Sequence, residues 1–117
     1  MQYMLLIYRE EAAMDAVSEA EAGQMTAAYG AYAEAMVKAG VMRGGDRLHR
    51  ASAATTVRSP GGKTQVLDGP YAETKEQLGG YFMIEAPDLD TALSWAERCP
   101  GAAVGSIEVR PVLAMGT

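Results

Sequence analysis

The stretch Asp68-Gly69-Pro70-Tyr71-Ala72-Glu73-Thr74-Lys75-Glu76-Gln77-Leu78-Gly79-Gly80-Tyr81 separates two kinds of strand pattern. It opens on an acid and a Gly-Pro corner, carries three further charges, and ends in a Gly-Gly pair. An apolar run over residues 81–84 follows at once. An ordinary connection needs turn formers, but it does not need Glu73, Lys75 and Glu76 between a stiff corner and a hinge. Polar side chains on a loop held by rigid elements are where ligand sites tend to be built. Before the loop, residues 54–59 and 63–68 flank Pro60-Gly61-Gly62, a hairpin turn. After it, the pattern predicts a strand over about residues 80–86.

Working outward, residues 1–8 contain seven apolar positions and read as a strand buried on both faces. Ser18-Glu19-Ala20-Glu21 is a capping-box pattern. From there Met25, Tyr29, Tyr32 and Met36 recur at helical spacing until Gly40 stops the helix. Residues 41–48 predict a second strand, loosened by Gly44-Gly45. Asp88 caps a second helix with Leu89, Ala92, Leu93, Ala96 and Cys99 on one face, and Pro100-Gly101 ends it. Residues 105–113 predict the last strand. The order is β-α-β-(hairpin)-β-α-β, an α+β chain of split βαβ, ferredoxin-like pattern with an inserted β-hairpin, expected as one domain over residues 1–117.

This pattern implies a partner. Two helices cover one face of the sheet, yet the first strand offers Tyr3, Leu5 and Ile7 to one side and Met4, Leu6 and Tyr8 to the other. A monomer rarely leaves such an apolar face in water. A homodimer stacked sheet on sheet is expected; the alternative is a small sheet with exposed aromatic residues.

The 117 residues, 49% hydrophobic and 21% charged, fit a globular chain with a thin core. The net charge of −5 and the absence of a basic stripe argue against a nucleic-acid partner. No run approaches the length that spans a bilayer, so no membrane partner is expected. The first apolar run is too short for a leader, and one cysteine, Cys99, precludes an internal disulfide. Together they predict a cytoplasmic protein.

The loop quoted above resembles the signature of the DGPF branch of the YCII-related proteins, with Tyr71 where that signature carries Phe. The segments Tyr3-Met4-Leu5-Leu6-Ile7-Tyr8, Ala54-Thr55-Thr56-Val57-Arg58 and Glu108-Val109-Arg110-Pro111 are similar to the same family. The resemblance implies a ferredoxin-like subunit in a dimeric α+β barrel. For the broader YCII group it implies an enzymatic activity through a His–Asp pair in a cleft.

His49 is the one histidine, and Asp46 lies three residues before it. A His–carboxylate pair performs general acid–base catalysis because histidine titrates near neutrality; the same residues also suit a solvated strand end. Asp68, aimed by its Gly-Pro corner, is either a catalytic base or orienter, or an Asx-type turn former. Tyr71, Glu73 and Lys75 are candidate ligand contacts on the loop, with Lys75 suited to an anionic group. Arg58 and Arg110 clamp a carboxylate if they point into a barrel and are surface charges if they point out. Tyr8, ending the first strand, can join the same cleft. One Cys and one His are too few for a structural zinc site, and no phosphate loop, flavin or nicotinamide pattern appears, so no metal or cofactor is expected. Two functions remain open. One is a cofactor-independent isomerase or lyase acting on a small polar or anionic metabolite. The other is a non-catalytic ligand-binding or regulatory protein on the same dimeric scaffold.

Overall fold

The computed structural model describes residues 1–114. Strand β1 (Gln2–Arg9) runs into a one-turn helix α1 (Glu11–Met14) and then the long helix α2 (Glu19–Lys38). Strand β2 (Met42–Arg47), the hairpin strands β3 (Thr55–Arg58) and β4 (Gln65–Asp68), and β5 (Gln77–Glu85) follow. Helix α3 (Leu89–Arg98) and strand β6 (Ser106–Pro111) complete the order. Four strands form one antiparallel sheet in the order β2-β5-β1-β6; β3 and β4 form a separate two-stranded sheet. With the hairpin set aside, this is the split βαβ arrangement.

Local chemistry explains the boundaries. Ser18 caps α2 by accepting from the Glu21 amide at 3.1 Å, while its hydroxyl donates to the Glu21 carboxylate at 3.2 Å. Gly40, with φ of 74°, releases the chain into β2. Asp88 caps α3 through the Thr91 amide and hydroxyl, at 2.8 and 2.7 Å. These bonds hold its carboxyl below the usual carboxylate range.

The core lies between the sheet and the two longer helices. Tyr3 and Leu5 of β1 and Ile84 of β5 meet Tyr32 and Met36 of α2 and Trp95 of α3. Tyr32 packs edge-on against Phe82, with centroids 5.5 Å apart. The face expected for α3 is partly corrected. Ala92, Ala96 and Cys99 are buried, but Leu89 and Leu93 are exposed and Trp95 takes the core position. Arg98 covers the Trp95 ring at 4.3 Å. Gly45 also has a more specific role than loosening a strand. A Cβ there would stand 2.6 Å from the Phe82 ring, so the missing side chain lets the ring lie on the backbone.

Register separates the sheet faces. Leu5 opposes Phe82 and Val109 on the helix side. Met4 opposes Met83, and Leu6 opposes Tyr81, on the open side. Burial of β1 on both faces therefore holds, within one chain, for the helix side; Met4, Leu6 and Tyr8 stay half-buried. Between Ile7 and Tyr8 the β1–β5 ladder slips past Gly79, which places Leu78 opposite Tyr8. Among the described residues no helix is long and apolar enough to cross a membrane.

Candidate functional site

The β1–β5 irregularity, the base of the hairpin and the loop after β4 enclose an open cleft of about 700 Å³. Its lining includes Tyr8, Leu48, His49, Thr56, Tyr71 and Leu78. A second, shallower depression of about 380 Å³ beside α3 is lined by Leu93, Ala96, Glu97, Ala102, Gly105 and Ile107, with no histidine or arginine.

His49 is held in place through its neighbours. The Leu48 amide donates to the Gly79 carbonyl at 2.9 Å, continuing the β2–β5 ladder past β2. Two residues beyond His49, the Ala51 amide donates to both Glu11 carboxylate oxygens, at 3.2 and 3.0 Å. Arg50 pairs with Asp15 at 2.6 Å. Both partners of that pair are well exposed, so it contributes little to stability but does direct the guanidinium. The His49 ring itself has no hydrogen-bond partner among the described residues. Helix α1 therefore serves as a bracket: Glu11 and Asp15 both secure the segment bearing His49.

The same bracket grips the loop. The Glu11 amide donates to Gln77 Oε1 at 3.0 Å, and the Gln77 amide nitrogen donates to the Thr74 carbonyl. On the other side, Ser106 of β6 donates to the Glu76 carboxylate at 2.7 Å. At the hairpin base Gly69, with φ of 104°, donates from its amide to Ala54 O at 2.7 Å and accepts from the Thr56 hydroxyl at 2.8 Å. A side chain at Gly69 would be strained in that conformation.

Of the residues singled out from sequence, the cleft brings together Tyr8, His49 and Tyr71. Tyr71 stands at the lip, 80% exposed. The structure does not bring the others in. Asp68 pairs with Thr55 on the hairpin face opposite to Thr56, and is exposed. Glu73 and Lys75 are exposed on the loop's outer side, because its inward positions are taken by Ala72 and Thr74. Arg58 is exposed beyond the cleft, toward the hairpin tip. Arg110 lies on the open sheet face and donates from Nε to Glu108 at 3.0 Å, so its fork is already occupied. Asp46 accepts from the Tyr81 hydroxyl at 3.0 Å and does not pair with His49. That bond raises the Tyr81 phenol above its ordinary value. Sequence reasoning missed Gln77 and Glu11 as the residues that fix the site. Their roles depend on contacts 66 and 40 residues apart, which no local pattern encodes. Among the described residues, no three of His, Cys, Asp and Glu stand together as a metal-holding group.

A ferredoxin-like sheet with a cleft of small-molecule size at the end of its central strands defines an α+β protein with a ligand-sized site. The chain belongs to the YCII-related domain family, whose model matches residues 1–116. It is 40% identical over 114 residues to an uncharacterized protein of Rhizobium meliloti, an alignment covering 96% of this chain and 92% of that one. In fold it is similar to a 5-chloro-2-hydroxyhydroquinone dehydrochlorinase from Burkholderia phenoliruptrix, solved in complex with 2,5-dihydroxybenzoquinone. The TM-score is 0.58 at 16% identity, over 97% of this chain and 94% of that one.

Proposed function

We propose that this protein binds a small polar or anionic metabolite in the His49 cleft and performs cofactor-independent acid–base chemistry on it, of isomerase or lyase type. The observation that carries the reading is the placement of the single histidine in a largely apolar cleft, on a segment anchored on both sides. An imidazole there can act as a proton acceptor and donor in general acid–base catalysis. Tyr8 and Tyr71 line the cleft with aromatic rings, and Arg50, held through Nη1 by Asp15, has its remaining guanidinium nitrogens for an anionic group at the rim. The fold neighbour was solved with a planar, hydroxylated ring, a ligand of the size this cleft admits.

Asp68 enters this reading from outside the cleft, and His49 carries the chemistry. The second reading, non-catalytic ligand binding, is favoured by one specific feature: among the described residues no carboxylate bonds the His49 ring, and Asp46 is engaged by Tyr81. The assembly belongs to the same proposal: a cytoplasmic homodimer of the DGPF branch, closed sheet on sheet into an α+β barrel. The apolar open face made by Met4, Leu6, Tyr81 and Met83 supports it.

The test is a thermal-shift and NMR screen of small hydroxylated aromatic and carboxylic compounds against parent protein and His49→Gln. A ligand whose binding shifts the His49 ring resonances, and which the parent alone converts, supports the enzyme. Equal binding without turnover by either supports the second reading. Ligands that bind while leaving the His49 resonances untouched remove the site.

A further inference from the structure

The chain holds 15 Asp and Glu against 10 Lys and Arg, yet no acid lines the cleft. Among its lining residues the single fixed charge is that of Arg50. Most other polar side chains there are already engaged within the chain. The Thr56 hydroxyl donates to the Gly69 carbonyl at 2.8 Å. The Thr74 hydroxyl donates to the Glu76 carbonyl. The Gln77 side-chain amide accepts from the Glu11 amide and donates to the Thr74 carbonyl. That leaves the His49 ring, the phenols of Tyr8 and Tyr71, and the Arg50 guanidinium to recognise a ligand.

Arg50 does so while carrying a placeholder. Its Nη1 donates to Asp15 Oδ1 at 2.6 Å, and among the described residues neither side chain has another hydrogen-bond partner. The contact uses one nitrogen and one oxygen. A carboxylate meeting the guanidinium edge-on would take two parallel N–H donors, the stronger geometry. The two side chains are 47% and 66% exposed, so the pair breaks at little cost. Asp15 sits in the turn after α1, a helix with no buried residue. Its carboxylate can rotate back into water without disturbing the core.

Charge and polarity define what replaces it. Two carboxylates on one guanidinium repel each other, and more strongly beside apolar walls than in open water. A ligand acid therefore takes the place of Asp15. One guanidinium balances one negative charge, so a dianion would bring a charge that no lining group answers. The body of the ligand meets Leu48, Pro70, Leu78 and four alanines in a space of about 700 Å³. A small inorganic anion offers Arg50 no more than Asp15 already does, whereas an acid with an apolar body adds burial against these walls.

We propose that Arg50 is the specificity-determining residue of the His49 cleft, which takes small monocarboxylates with an apolar body, and that Asp15 is a tethered stand-in for the ligand's carboxylate, exchanged for it on binding. The inference rests on the ligand-binding cleft of the preceding reading and names the charge and class of its ligand.

The test is an NMR titration of the full chain with two matched pairs, benzoate with benzamide and hexanoate with hexanamide, at one ionic strength. Parent, Asp15→Asn and Arg50→Gln are compared, with far-UV circular dichroism as the check on folding. In the parent each acid should bind more tightly than its amide. In Asp15→Asn the acids should bind about two- to five-fold more tightly, the worth of an exposed ion pair read as affinity, with the amides unchanged. In Arg50→Gln each acid should bind no better than its amide. The proposal is overturned if Asp15→Asn weakens the acids, if it moves acids and amides alike, or if no acid binds the parent or Asp15→Asn at millimolar concentration. Compounds that shift the His49 resonances without any preference for the acid leave the cleft standing and remove the role of Arg50. Acids that respond to both substitutions but leave the His49 resonances untouched keep the carboxylate site and remove the acid–base chemistry.

Discussion

Tyr32 of α2 donates its phenolic hydrogen to the Trp95 carbonyl of α3 at 2.6 Å, joining the two long helices inside the core. The bond is buried, with Tyr32 5% exposed, so water cannot replace it. Tyr32→Phe keeps the ring against Phe82 but leaves the Trp95 carbonyl unsatisfied. A loss of about 1–3 kcal/mol is expected, read as a lower urea midpoint with an unchanged slope. A variant that melts with the parent would show that the carbonyl finds another donor.

Alkaline pH should unfold this protein earlier than its acidic composition suggests. Burial raises Tyr29 and Tyr32 well above the ordinary phenol value, and burial also raises the Cys99 thiol. Groups whose folded-state pKa lies above the unfolded value stabilise fully below the unfolded pKa, and that contribution is lost as pH rises through the folded one. The decline should therefore begin near pH ~8.5 for Cys99 and steepen above ~10 for the tyrosines. Urea midpoints measured from pH 7 to 11 check this, and a flat profile contradicts it.

Three glycines should respond differently to alanine. At Gly105 a Cβ would stand 2.1 Å from the Tyr8 carbonyl oxygen, an obstacle of backbone that cannot swing aside. At Gly101 the obstacle is the Tyr29 hydroxyl at 2.4 Å. Nothing lies within 4 Å at Gly44. Gly105→Ala should cost the most, at or above the ~1–3 kcal/mol of ordinary overpacking, and should disturb the Tyr8 end of the cleft. Gly101→Ala should fall within that range, and Gly44→Ala should be neutral or slightly stabilising. Thermal melts of the three rank them; an equal effect at all sites would deny the steric cause.

Asp68→Asn isolates the charge of the residue that the sequence marks most strongly. Asp68 is exposed and faces away from Thr56 and the cleft. The substitution should shift stability by less than about 0.5 kcal/mol and leave binding of any ligand found for the His49 cleft unchanged. Loss of binding in a variant that melts with the parent would return Asp68 to the site.

The local elements were legible from residues near in sequence. The Ser18–Glu21 capping box, the Asp88 cap, the Pro60-Gly61-Gly62 turn and the apolar run of β1 each record a local preference, and together they specify the element order. They also put Tyr8 at a strand end and Tyr71 in the loop after the hairpin, positions that line one cleft with His49. Tertiary structure decided the rest. Which of the loop's charges face inward depends on how Gln77 reaches Glu11 and Glu76 reaches Ser106, contacts between distant residues. Asp46 was three residues from His49 in sequence, yet pairing with β5 places it opposite Tyr81. Trp95 displaced Leu93 from the core because the helix rotates as a rigid unit, and the largest ring fills the space beside Tyr32. A one-dimensional pattern can state that a residue is polar and near a turn. Where its side chain points depends on register and on which distant group satisfies it, and those are properties of the assembled sheet.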